Sequence, residues 1–244
     1  MEKLDKWTIK HSRWLVNIVI VMILVGLALI SFSSYNSIIV SGTNNTSPIY
    51  HVDSATNQVS IMFNVYWGTE YIPAILDTLK EYAVKATFFV GGSWADDNND
   101  LLTRMLAEGH EIGNHGYFHK DHRKLSYEGN VGEIKATNQL VESICNYQIK
   151  LFAPPSGSFG NDTLKASKEL GMQVIMWSKD TIDWRDKDEN LVFTRATKNV
   201  KAGDLILAHP TKHTLSALPR ILEHYHNIGL NQVAVSTMLQ NNAI

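Results

Sequence analysis

Residues 85–115 read KATFFVGGSWADDNNDLLTRMLAEGHEIGNH, and this stretch decides the fold. Ala86–Val90 is a short apolar run rich in aromatic and β-branched residues, closed by two glycines, and reads as a strand. Asp100–Ala107 then carries its apolar residues on one side of a helical wheel. Gly109 supplies the left-handed residue that ends such a helix. Glu111–Asn114 is the next strand. Strand, helix, glycine and strand in this order make a crossover unit, which joins parallel neighbours.

The same texture extends in both directions. Further strands are predicted at Val59–Phe63, Lys150–Ala153, Gln173–Trp177, Asp204–Ala208 and Gln232–Val235. Helices are predicted between them at Tyr71–Tyr82, Tyr127–Ile144, Asp162–Leu170, Leu191–Val200 and Leu215–Asn227. Seven strands alternating with six helices imply an α/β domain over residues 58–241 built on a parallel sheet, rolled into a barrel or left open. In both versions chemistry belongs at the carboxyl ends of the strands.

Upstream the texture is different. Residues 14–32 are almost wholly apolar, with Lys3, Lys6, Lys10 and Arg13 before them and no charge after them until Asp53. That pattern predicts a transmembrane anchor with residues 1–13 in the cytoplasm and the rest outside, in the cell membrane. A cleaved signal peptide is the competing reading. Residues 33–57 are rich in Ser, Asn and Thr and are expected to be a polar linker.

A net charge of −2 gives no basic footprint, so nucleic acid is not the expected partner. A single cysteine, Cys145, excludes an internal disulfide framework and a cysteine-rich zinc module.

Five predicted strand ends carry polar residues that packing alone would not require: Phe63–Gly68, Gly109–His119, Phe152–Gly157, Trp177–Trp184 and Gly203–Pro210. His115 and His119 are four apart, a spacing that on a helical turn lets two imidazoles ligate one divalent cation. His209 follows the apolar run Leu205–Ala208 and can donate a proton to a leaving group when a carboxylate orients it. Asp183 is the first choice for that carboxylate and Asp180 the second. Trp67 and Trp184 follow strand ends where an indole can stack on a sugar ring. Pro155, in a di-proline turn, is expected to line the site.

Taken in order, the five segments resemble the five motifs of the polysaccharide deacetylase, or NodB-homology, family of carbohydrate esterases. The resemblance covers the whole predicted domain. It is carried by Gly-His-Glu-Ile-Gly-Asn-His-x-x-x-His, Asp-x-x-Asp-Trp, Leu-x-His, and Ala-Thr-Phe-Phe-Val at 86–90. It implies a distorted (β/α)7 barrel that removes acetyl groups from N-acetylated polysaccharide, with peptidoglycan the first expectation. It further implies a divalent metal, commonly zinc, on His115 and His119, with His209 as the acid and Asp183 behind it. The altered motifs look most like those of a sporulation-associated, membrane-anchored branch from Gram-positive spore formers.

The resemblance breaks at two places. Where the family places Thr-Phe-Asp-Asp-Gly this chain has Phe63-Asn64-Val65-Tyr66-Trp67-Gly68, with two extra residues. Asn64 stands in the base's position and cannot accept a proton at neutral pH. No carboxylate fills the ligand's position, and the arginine of the third motif is Ala153. Two expectations follow. One is an atypical deacetylase whose metal is completed by water or by a carboxylate such as Glu70 or Asp121. The other is a non-catalytic glycan-binding or scaffold module of the cell or spore envelope.

Overall fold

The computed structural model describes residues 21–22, 47–53 and 57–240. The chain divides into two units, Met1–Asn45 and Thr46–Ile244. Of the first, only Val21 and Met22 are described, both helical. The segment expected in the cytoplasm (1–13) lies outside the described residues. So does the expected anchor (14–32), those two residues apart, and so does most of the linker (33–57). Among the described residues no helix is long and apolar enough to cross a membrane.

The second unit is a parallel α/β half-barrel. Its strands are β1 (Gln58–Val65), β2 (Thr87–Val90), β3 (Glu111–Asn114), β4 (Leu151–Phe152), β5 (Gln173–Val174), β6 (Lys179–Asp180), β7 (Leu205–Ala208) and β8 (Asn231–Gln232). They lie in the order β5-β4-β3-β2-β1-β7-β6, with β8 added beside β1, and every pair is parallel. The helices are α1 (Ile72–Glu81), α2 (Gly92–Asp97), α3 (Asn99–Ala107), α4 (Tyr127–Cys145), α5 (Asn161–Glu169), α6 (Glu189–Thr197), α7 (Lys212–Asn227) and α8 (Val235–Gln240). Their starts follow capping chemistry: Ser126, Asp188 and Thr211 each accept a backbone N–H from the first turn of α4, α6 and α7. The helix α1 buries Ile72, Ile75, Leu76 and Leu79, the i, i+3, i+4, i+7 stripe of a helix laid on a sheet.

All seven predicted strands are present, most of them shorter than predicted. An eighth, β6, was not predicted, because Lys179–Asp180 is only half-buried and carries no apolar signal. The short helices α2 and α8 were missed for lack of a full helical period. Residues 47–53 correct the linker expectation. Ile49 donates to Val174 O at 2.9 Å and accepts from Met176 N at 2.8 Å, and Val52 donates to Gly203 O at 2.9 Å. This segment therefore bridges the β5 side of the sheet to the start of β7, across the gap of the half-barrel. Two apolar residues among polar neighbours were too weak a signal to reveal it.

Strand alternation sorts the core into two clusters. Ile61, Phe63 and Val65 of β1, with Phe88 and Val90 of β2, point out to the helices. Met62 and Phe89 point inward, together with Leu151, Ala153, Ile175, Leu205, Val235 and Met238. Asn64, two residues beyond Met62, continues the inward row at the carboxyl end of β1. Val65 belongs to the outward row.

Candidate active site

A cavity of about 540 Å³ opens at the carboxyl ends of the strands. It is lined by Asn64, Tyr66, Trp67, His115, His119, Ser156, Trp177, Asp180, Trp184, Leu207 and His209. Both histidines of the spaced pair, the histidine after β7, the inward asparagine and the two exposed indoles are thus brought together.

The histidine pair is positioned by α4. Asn114, the last residue of β3, donates from Nδ2 to Ile134 O at 2.7 Å and to Asn138 Oδ1 at 2.8 Å, and its Oδ1 accepts from Gly116 N at 2.7 Å. Glu133 holds the turn between the histidines. Its Oε2 accepts from Tyr117 N (2.9 Å) and Phe118 N (2.8 Å), and its Oε1 pairs with Lys120 Nζ at 2.9 Å. Burial alone would raise the Glu133 pKa, but these donors outweigh it and keep the carboxylate below its ordinary value. The resulting turn puts His119 in the left-handed region at φ 53°. The two imidazoles stand 5.0 Å apart between ring centres at 68°.

His115 Nδ1 lies 2.7 Å from Ala153 O, so this nitrogen carries the proton and Nε2 is left as the acceptor. Burial first, then the His119 charge, holds His115 well below the ordinary imidazole range. Burial also lowers His119. At neutral pH the pair is uncharged.

Across the cavity, His209 is held by one carboxylate. Asp183 Oδ1 lies 2.7 Å from His209 Nδ1, and Oδ2 accepts from His209 N at 2.7 Å and from the Thr214 hydroxyl. Asp183 is the partner, as expected; Asp180 instead caps Ile182 N at 2.8 Å and is raised by burial. Trp67 lies flat on His209, with ring centres 5.6 Å apart and planes 4° apart. Gly68 makes that possible: at φ 78° it brings the β1 end so close to the β7 end that a Cβ would sit 2.0 Å from Pro210 O.

Some expectations need correction. Pro155 is buried and does not line the cavity; Ser156 does, and Pro155 packs beneath Gly116. Neither carboxylate suggested as a third ligand serves. Glu70 is not among the lining residues, and Asp121 is taken up by Ser158 and Lys124. Tyr66 and Trp177 also line the cavity, though no role is predicted for them, and Thr214 and Glu133 act from α7 and α4, outside the five strand-end segments. An indole directly before a motif was a usable signal for Trp177; nothing local marked Thr214.

The metal that the resemblance implies does not fit the residues present. Val65 points into the helix layer, and the Tyr66 ring sits against His119 at 5.0 Å between centres. Among the described residues no group of three His, Cys, Asp or Glu side chains could hold an ion. A divalent cation held in a metallohydrolase normally has three protein ligands, and here there are two.

The fold and cleft define a class: a parallel half-barrel with a histidine pair and a histidine–aspartate pair lining one cavity at the carboxyl ends of its strands. The family model for polysaccharide deacetylase matches residues 51–175, and the chain belongs to this family. It is 37% identical over 183 residues to the Bacillus subtilis protein YlxY, covering 75% of this chain and 57% of that one. It is 32% identical over 193 residues to a Bacillus cereus peptidoglycan-N-acetylglucosamine deacetylase, covering 75% and 88%. Among solved structures, a CE4 family pseudoenzyme from Bacillus anthracis superposes with a TM-score of 0.78 at 33% identity, over 81% of this chain and 70% of that one. A mutant of that pseudoenzyme with restored enzymatic activity superposes equally, at 0.78 and 31% identity, over 81% and 72%.

Proposed function

We propose that the domain is a receptor for N-acetylated cell-wall glycan, peptidoglycan above all, and that it hydrolyses the acetamide feebly or not at all. One observation carries this reading. The groups suited to holding a sugar and donating a proton remain around the cavity: Trp67, Trp184 and the His209–Asp183 pair. The groups that would prime water are gone, because Asn64 faces inward where a base is needed, Val65 faces outward and Ala153 is small and apolar. The losses are mutually consistent, since an arginine buried at 153 opposite a neutral amide would be an unpaired charge.

Trp184 is 54% exposed and Trp67, with one face on His209, 44%, so both indoles keep surface open to a ligand at the cavity. Binding of an N-acetylglucosamine tetramer and of soluble peptidoglycan fragments to residues 46–244, followed calorimetrically alongside acetate release, tests the proposal. Saturable binding with little or no acetate is expected, and Trp184→Ala should weaken it by roughly tenfold, the value of one aromatic stack. Rapid acetate release by the wild type, abolished by His115→Ala, would replace this reading with that of an enzyme.

The second reading, residual hydrolysis, is supported by the intact His209–Asp183–Thr214 arrangement. Loss of a positioned base lowers rates by about 10²–10⁴ without always abolishing them.

A tethered, extracytoplasmic placement is supported by the basic and apolar pattern before residue 33 and suits a polymer outside the cell. The resemblance adds the envelope of a spore-forming cell as the setting. Full-length protein should stay with membranes and lose its domain to protease added from outside; a soluble product starting near Ser34 would show cleavage instead.

A further inference from the structure

Asn64 is the least satisfied polar residue of the cavity wall. The residue is 5% exposed, and its Oδ1, wholly enclosed, pairs with no described group. An amide left unpaired in a buried position is costly, and a ligand of the right chemistry that reaches it would offset part of that cost. His115 presents an acceptor nitrogen to the cavity, its other nitrogen being committed to Ala153 O. A neutral, amide-sized polar group with both a donor and an acceptor suits Asn64 and this acceptor nitrogen, whereas a free ammonium offers Asn64 Nδ2 no acceptor.

We infer that Asn64 reads the acetamido group of the sugar by direct hydrogen bonding, without a metal, so that the cavity distinguishes N-acetylated glycan from its free-amine counterpart. This rests on the glycan-receptor reading and specifies how that receptor selects. With Oδ1 enclosed, the Nδ2 end borders the cavity and donates to the acetamide carbonyl oxygen; with the side-chain amide turned over, the oxygen takes that place and accepts the acetamide N–H. A trans amide presents these two groups on opposite sides, so Asn64 takes one of them and the cavity histidines face the other. Tyr66 reinforces the metal-free arrangement: its ring rests over Gly91, where a Cβ would lie 2.3 Å from Cδ2, its hydroxyl accepts from Ser93 Oγ at 3.1 Å, and it is fixed against His119.

The test measures affinities for an N-acetylglucosamine tetramer and for the fully deacetylated tetramer, with and without EDTA. The proteins compared are the wild type, Asn64→Leu, Asn64→Asp and Trp184→Ala. The wild type should prefer the acetylated tetramer by about tenfold or more, with EDTA changing nothing. Asn64→Leu, of similar volume, should lose that preference, and Asn64→Asp should shift it toward the amine, which a buried carboxylate attracts. If both Asn64 variants keep the wild-type preference while Trp184→Ala still weakens binding, the inference is overturned and the receptor reading stands. If EDTA abolishes wild-type binding, the metal-free part is wrong. If the wild type binds neither tetramer, both readings fall together.

Discussion

Asn64→Asp combined with Ala153→Arg is expected to release acetate from N-acetylated oligosaccharide about tenfold or more faster than either single variant. Asn64 faces the cavity from β1, and Ala153 belongs to the inward cluster just beyond β4, so both side chains arise from the inner surface of the half-barrel. Asp at 64 alone places a carboxylate in a site without a cation, and burial then raises its pKa and removes it as a base. Arg at 153 alone inserts a long charged chain into a packed apolar cluster, at about 1–3 kcal/mol for overpacking plus the cost of an unpaired charge. Together the charges compensate, and a base contributes about 10²–10⁴ to such reactions when correctly poised. The missing third metal ligand holds the double variant below an intact deacetylase. A double-mutant cycle on rate and on melting temperature reads the coupling. Simple additivity in both would show that the two positions do not communicate.

Asp183→Ala should be the most destabilising single change at the site, by about 3–5 kcal/mol. Its carboxylate is fully buried and accepts from three donors: the His209 main chain, the His209 ring and Thr214. Alanine leaves all three without their acceptor in a packed environment, and each orphan costs about 1–3 kcal/mol. For a domain of this size the loss corresponds to a fall in melting temperature of roughly 10 °C or more. Asp183→Asn keeps the shape and most of the acceptance, so it should retain the fold and lose far less. Calorimetric melting of the two variants decides the matter: a melting temperature for Asp183→Ala within a few degrees of wild type would mean that the carboxylate serves the ligand alone.

The barrel was legible because each strand and each long helix announces itself over a local window: Ala86–Val90 by composition, α1 by its i, i+3, i+4, i+7 stripe. Period-two alternation puts Asn64 and Val65 on opposite faces, but the sequence ends its apolar signal at Phe63, so the two residues joined β1 only in the structure. The rest depends on contacts distant in sequence. Thr214 reaches Asp183 from 31 residues away, and Glu133 steadies the histidine turn from the next helix. Pro155 was misplaced because a turn of two prolines indicates rigidity and not direction. The bridging segment 47–53 escaped because backbone hydrogen bonds leave almost no trace in side-chain composition.

That segment also determines how the domain bears load. A pull on the chain N-terminal to Ser47 enters the fold at Ile49 and Val52, at the seam between β5 and β7. The bonds of Ile49 run to a parallel neighbour, so tension along the chain shears them together before it reaches β1 or the cavity. Load entering the domain from that side would therefore strain this seam first and leave the strands around the cavity in register, a mechanical fuse placed ahead of the cleft.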